Sequence, residues 1–195
     1  MEDQSANSSR GFLILSIAGL LTKVISVFYI PLLQRIIGLD GYGIYQNCYE
    51  VFLFVYAVTN LGTQPAIAKV VAELTALGKP NDAVRALKIS RTLLSLVGAV
   101  LTIFLMLFAF PIGNMIGNPA ASYGILMLAP SIFVTSLLSS YRGYFQGRNS
   151  MTAIAVSQVL EQVINIAISL ACAYFLVHIS VEYGSAGGTI GTSVG

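Results

Sequence analysis

The chain has 195 residues, of which 56% are hydrophobic and 9% charged, against about 25% charged in an ordinary soluble domain. Too little polar surface is available to cover a water-soluble fold of this size, so the composition places the chain in a bilayer. The net charge of +2 comes from basic residues scattered between apolar runs, which excludes a nucleic-acid-binding stripe, and Cys48 and Cys172 lack the spacing of a disulfide framework or a zinc site.

A helix that crosses a hydrocarbon core needs about 20 apolar residues. Five stretches meet this, at about 11 to 35, 45 to 65, 92 to 110, 122 to 141 and 151 to 177. The first run outlasts the h-region of a signal peptide and is followed by no small-residue cleavage site, so it reads as a span. On its face Ser16, Gly19, Lys23, Ser26 and Gln34 recur at helical spacing. Lys23 lies about 18 Å along the helix from Gly11, near the bilayer midplane, where an ammonium costs about 2.5 to 3.5 kcal/mol. That cost is met either by snorkelling to the headgroups or by a water-filled cavity. Pro31 is expected to bend the far end of this span, as a hinge.

The stretch "IIGLDGYGIYQNCYEVFLF" follows, with Gly38, Gly41 and Gly43 forming a tight turn. Tyr42, Tyr45 and Tyr49 suit the amphipathic ring to a membrane–water interface, and an aromatic belt is their simple reading. Gln46 and Glu50 lie four apart, and Asn60 and Gln64 continue their stripe along the second span. A polar stripe inside the membrane must face protein or water. The span breaks in "TNLGTQPAIAKVVAEL", where Pro65 lacks an N–H and a kink is expected near Gly62. Residues 66 to 91 then read as a helical connection outside the membrane, with Lys69 and Glu73 on one face.

Between the third and fourth spans, "FPIGNMIGNPAAS" marks a short loop. The fifth span holds the densest polar pattern. Gln158, Glu161, Gln162 and Asn165 occupy positions i, i+3, i+4 and i+7, with Glu161 about 15 Å past Met151, again near the midplane. A carboxylate among amides on one face reads as cavity lining, although polar residues also tie membrane helices together. Glu161 is placed to pair with Lys23 or to carry a coupling proton or sodium ion. The tail "SAGGTIGTSVG" reads as the opening of a sixth span, about 184 to 195.

Lys and Arg gather on one side: Arg10, then Lys69, Lys79, Arg85, Lys88 and Arg91, then Arg142 and Arg148. Loops 36 to 44, 111 to 121 and 178 to 183 carry none, a positive-inside pattern with tail 1 to 10 in the cytosol. No nucleophile elbow, P-loop or metal-ligand spacing is present, so neither enzymatic chemistry nor a bound cofactor is expected.

"SRGFLILSIAGLLTKVISVFYIPLLQRIIGLDGYGIYQNCYEVF", "LGTQPAIAKVVAEL" and "SSYRGYFQGRNSMTAIAVSQVLEQV" together resemble the bacterial polysaccharide and oligosaccharide exporters of the MOP superfamily, of the stage V sporulation protein B type, which are similar to the lipid II flippase. The resemblance implies an all-α integral membrane protein, a polytopic helical bundle forming the N-terminal lobe of a two-lobe transporter, with the second lobe beyond Gly195. It implies a bacterial cytoplasmic membrane location and a polyprenyl-diphosphate-linked sugar as substrate, flipped between leaflets by alternating access. Coupling would be to a proton or sodium gradient or to the membrane potential. Lys23 matches a basic position of lipid II flippases in the first span, whereas a second such position is Tyr29 here. Other readings are a multidrug cation antiporter of the same superfamily, leaning on Glu161 and Glu50, and a non-transporting scaffold for cell-wall or spore-coat synthesis.

Overall fold

A computed structural model describes the backbone of residues 2–60 and 62–194, and the surroundings of Gly11 and of the side chains of residues 13–60 and 62–194. The side chains of the tail 1 to 10, Arg10 among them, and Gly195 lie outside the described residues. The described residues form six α-helices: α1 (Glu2–Asn60), α2 (Thr63–Ala76), α3 (Pro80–Met115), α4 (Ala121–Gly147), α5 (Met151–Val177) and α6 (Val181–Val194).

Helix α1 is two helices joined at Gly38, whose backbone (φ 73, ψ 178) lies where only glycine is at ease. The first arm, residues 2–37, and the second, residues 39–60, fold back on each other. Tyr29 and Tyr45, 16 positions apart in sequence, have ring centroids 6.4 Å apart, which a straight helix would hold about 24 Å apart. Pro31 lies inside the first arm, and the helix passes through it with no non-helical residue before Gly38.

The chain breaks again at Gly62 (φ 83), and Pro65 falls in the first turn of α2, where its missing N–H has no partner to lose. Three further helix ends close alike. After α2, Gly78 (φ 68) directs Lys79 N–H to the Leu74 carbonyl; after α3, Gly117 (φ 73) directs Asn118 N–H to Gly113; after α4, Asn149 (φ 61) directs Ser150 N–H to Phe145. In each case a left-handed residue satisfies carbonyls that the helix end leaves open.

Four helical segments are long and apolar enough to cross a membrane: Leu13–Ala76, Pro80–Met115, Ala121–Gly147 and Met151–Val177. The first contains the Gly38 reversal, and its second arm alone is about 33 Å long. Phe28, Phe54, Leu107 and Phe175 are each at least 66% exposed, an apolar exterior that suits lipid and not water. The chain is an all-α, multi-pass membrane protein.

One core cluster joins Cys48 and Phe52 of α1 to Leu105 of α3 and Ile125, Leu128 and Ile132 of α4. A second joins Tyr29, Leu33, Ile37 and Tyr45 to Ala173 of α5. Helix α6 is almost wholly buried from Gly184 to Thr189 and packs against α5, α4 and α1. Small residues permit this approach: a Cβ on Gly187 would sit 2.8 Å from the Cys172 carbonyl carbon and oxygen.

Candidate functional site

The second arm of α1 carries aromatic rings at positions 42, 45, 49, 52 and 56, which alternate steps of three and four and therefore share one helix face. Neighbouring ring centroids along Tyr42, Tyr45, Tyr49, Phe52 and Tyr56 lie 5.8 to 5.9 Å apart, in stacked or tilted pairs. Tyr45 is buried against Tyr29, whose hydroxyl donates to the Gly188 carbonyl at 2.8 Å. The interfacial belt expected for Tyr42, Tyr45 and Tyr49 is thus replaced by an inward ladder. The reversal at Gly38 turns that face toward α5 and α6.

Two cavities run along the ladder. One, of about 300 Å³, is lined by Ser26, Tyr42, Tyr45, Gln46 and Gln162 among others. The other, of about 270 Å³, is lined by Tyr56, Gln64, Ser139, Arg142 and Glu161 among others. Tyr49, Leu53, Gln162, Asn165 and Thr192 border both, so the two adjoin as one cleft between α1, α4, α5 and α6.

Helix α5 supplies the floor of the cleft. Gln162 donates from Nε2 to Ser26 Oγ at 2.9 Å, and Ser26 in turn donates to the Thr22 carbonyl at 2.8 Å. Asn165 accepts at Oδ1 from Ser169, whose Oγ accepts the Gly191 N–H of α6 at 3.1 Å. Glu161 forms an ion pair with Arg142 of α4, Nη2 to Oε2 at 2.5 Å. Arg142 also donates to Ser157 Oγ from Nε at 3.2 Å and from Nη2 at 3.1 Å. Glu161 is therefore paired across to α4 and not to Lys23.

Of the residues singled out from sequence, Ser26, Gln46, Gln64, Glu161, Gln162 and Asn165 line the cleft. Lys23 lies exposed on the first arm, one turn before Ser26, with no ion pair among the described residues. Glu50 is exposed and accepts from Gln46 Nε2 at 3.4 Å. Gln158 is partly buried one turn before Glu161, off both linings. Asn60 is buried, and its amide is used in packing: Oδ1 accepts from Ser139 at 2.7 Å, and Nδ2 donates to Thr59 Oγ1 at 2.9 Å. Gln64 Nε2 reaches Gln146 Oε1 at 2.9 Å, tying α2 to α4 just past the Gly62 break. Among the described residues, no three His, Cys, Asp or Glu side chains come together to hold a metal ion.

The contribution of α4 is absent from the sequence-derived set. Thr135, Ser139, Arg142 and Gln146 recur at steps of four, three and four, a polar stripe as regular as that of α5. Ending the fourth span at residue 141 assigns Arg142 to a loop and cuts that stripe in two. Helix α4 in fact continues to Gly147.

The chain matches the family described as polysaccharide biosynthesis protein over residues 8–192. It is 30% identical over 187 residues to stage V sporulation protein B of Bacillus subtilis, covering 95% of this chain and 36% of that protein. It is 31% identical over 178 residues to the uncharacterized membrane protein YabM of the same organism, covering 91% and 33%. Against lipid II flippase MurJ of that organism the identity is 23% over 185 residues, covering 90% and 34%. The chain thus spans about a third of the length of these curated relatives. No solved structure matches it. The match runs over nearly the whole of a chain whose helices enclose a polar cleft, and it places the chain plainly: the chain belongs to the polysaccharide biosynthesis protein family.

Proposed function

We propose that the chain is the cavity-bearing part of a transporter, not an enzyme, that flips lipid-linked oligosaccharide or peptidoglycan-type precursors from the inner to the outer leaflet by alternating access. The observation that carries this reading is the cleft itself: amides, hydroxyls, phenols and one ion pair, enclosed by helices whose outer faces suit lipid. Such a lining can hydrogen-bond a sugar headgroup while the polyprenyl tail stays in the bilayer. The name of one relative, lipid II flippase, points the same way. Lys23, exposed one turn before the cavity-lining Ser26, would attract the diphosphate in this reading.

A second lobe, beyond Gly195, would close the cleft and rock against this one. Exposed Lys69 on α2, Lys79 between α2 and α3, and Arg85, Lys88 and Arg91 on α3 support a cytosolic side at that end, hence a cytosolic N-terminus in a bacterial cytoplasmic membrane. Moving two negative charges outward across about 100 mV, inside negative, releases about 4 to 5 kcal/mol, so the membrane potential can drive export without a coupling ion. The cation-antiporter reading is the weaker one, because the carboxylate of Glu161 already has the guanidinium of Arg142 as its counter-ion.

The test is native mass spectrometry of the full-length protein in detergent with an undecaprenyl-diphosphate-linked sugar, against phosphatidylglycerol. Preferential binding, weakened by Lys23→Ala, is expected. No preference for the sugar lipid over phosphatidylglycerol overturns the flippase reading, and indifference to Lys23→Ala removes Lys23 from the headgroup site.

A further inference from the structure

The charged groups lining the cleft, among the described residues, are Arg142 and Glu161. Every other lining side chain is an amide, a hydroxyl, a phenol or apolar, so an anion entering the cleft meets one cation, and that cation is already paired. The pairing is incomplete. Glu161 engages Nη2, and Ser157 shares Nε and Nη2, while Nη1 makes no hydrogen bond among the described residues. A guanidinium presents five donors in a fork shaped for two oxygens at once, and a single contact to one carboxylate oxygen leaves that capacity unused.

Exposure of the two partners is also unequal. The side chain of Arg142 is 16% exposed and that of Glu161 is 32% exposed. Arg142 is pinned by Ser157 on α5 and packed within α4, whereas Glu161 has more access to the cavity and can be rehydrated there if it leaves. When the pair opens, the partner with more access to water is the less costly one to release, and here that partner is Glu161.

We propose that Arg142 is an anion-binding group of the cleft specific for a diphosphate, and that Glu161 is its resident counter-ion, displaced when the diphosphate arrives. A diphosphate carries more charge than a carboxylate and can span Nη1 and Nη2 together, so it competes for Arg142 on both counts. Ser157 holds the guanidinium plane through the exchange. The proposal rests on the reading of the cleft as a transport site for a lipid-linked diphosphate. It assigns the recognition of that headgroup to α4 and α5, apart from Lys23 on α1.

A counter-ion in place nine-tenths of the time hides a site by about tenfold. The full-length protein in detergent is titrated with inorganic pyrophosphate by calorimetry and with undecaprenyl diphosphate by native mass spectrometry, with thermal unfolding recorded for each variant. Glu161→Gln is expected to tighten binding by about tenfold. Arg142→Gln abolishes the gain and the site, the double variant binds as weakly as Arg142→Gln, and Arg142→Lys keeps the charge but binds less well than wild type because the fork is lost. A pair that serves only to hold α4 to α5 predicts something else: each single variant melts earlier and none binds more tightly. Should Glu161→Gln fail to fold, Glu161→Asp, which withdraws the carboxylate by one methylene, must tighten binding.

Unchanged or weaker diphosphate binding in a folded Glu161 variant, or undiminished binding in Arg142→Gln, overturns the proposal. Lipid binding that prefers undecaprenyl diphosphate yet ignores both residues leaves the flippase reading intact and removes this site from it. The reverse result, a pyrophosphate response that follows Arg142 and Glu161 without any preference for the polyprenyl lipid, keeps the masked site, assigns it to free phosphates and overturns the flippase reading.

Discussion

Gln162 and Ser26, 136 positions apart in sequence, are joined by a 2.9 Å hydrogen bond across the floor of the cleft. Ser26 also donates to the Thr22 carbonyl, so losing Gln162 strands no hydroxyl. Interhelical hydrogen bonds of this kind contribute about 0.6 kcal/mol in membranes, with a maximum of about 1.7. Gln162→Leu should therefore lower stability by about that amount while sharply reducing sugar-lipid binding, because Gln162 borders both cavities. A double-mutant cycle with Ser26→Ala, read by thermal unfolding in detergent, isolates the pair. A coupling energy of zero would show that the contact carries nothing.

Gly187 and Gly19 make a matched pair of opposite sign. A Cβ at Gly187 would stand 2.8 Å from the Cys172 carbonyl and 2.9 Å from the Ala173 nitrogen, so the backbone of α5 must yield. Gly187→Ala should cost about 1 to 3 kcal/mol and loosen α6. Around Gly19 nothing lies within 4 Å, and Gly19→Ala, inside a helix, should gain up to about 1 kcal/mol. Thermal unfolding and protease sensitivity of the two variants check this, and equal effects would mean that α6 is not seated as described.

How far the sequence reveals the cleft depends on how many helices a feature needs. The row Glu161, Gln162 and Asn165 lies on a single helix, so its spacing alone shows that the three side chains share a face. The break at Gly62 is equally local, being written in "LGTQP". Arg142 is different: a basic residue near the end of an apolar run is equally a mark of orientation and a cavity group, and only the continuation of α4 to Gly147 separates the two. The tyrosines near Gly38 share this ambiguity, since a ring at a helix end suits an interface as well as an interior. Asn60 shows the converse, a polar residue on the expected stripe whose amide is consumed by Ser139 and Thr59.

The aromatic ladder turns on Tyr49, which borders both cavities, stacks on Tyr45 at 5.8 Å and meets Phe52 in a tilted pair at 5.8 Å. Aromatic pairs contribute about 0.5 to 1.5 kcal/mol beyond area burial. Tyr49→Phe keeps the stack and removes one hydroxyl from the cleft, so folding should be unchanged and sugar-lipid binding modestly weaker. Tyr49→Ala removes both ring contacts and should cost about 1 to 3 kcal/mol of stability as well as binding. Unfolding curves set beside native mass spectrometry separate the two effects. A Tyr49→Phe variant that unfolds as early as Tyr49→Ala would mean that the hydroxyl, not the ring, holds the ladder.

The ladder faces the cleft only because the chain reverses at Gly38, and that reversal sits on one backbone conformation, φ 73 and ψ 178. A side chain there meets no neighbour within 4 Å, so crowding is not the issue. The strain is local: a Cβ in this region of backbone space costs about 1 to 3 kcal/mol. Gly38→Ala should therefore destabilise the bundle by that amount. Gly43→Ala, five residues on inside the second arm and equally open, should be neutral or stabilising. The two arms meet through Tyr29 and Tyr45, so a hairpin that opens under strain also separates those rings. A disulfide between cysteines introduced at facing positions of the two arms should form readily in the parent and slowly in Gly38→Ala. Equal rates, with equal melting temperatures, would show that the reversal is held by the packing of Leu33, Ile37 and Tyr45 and owes nothing to the glycine.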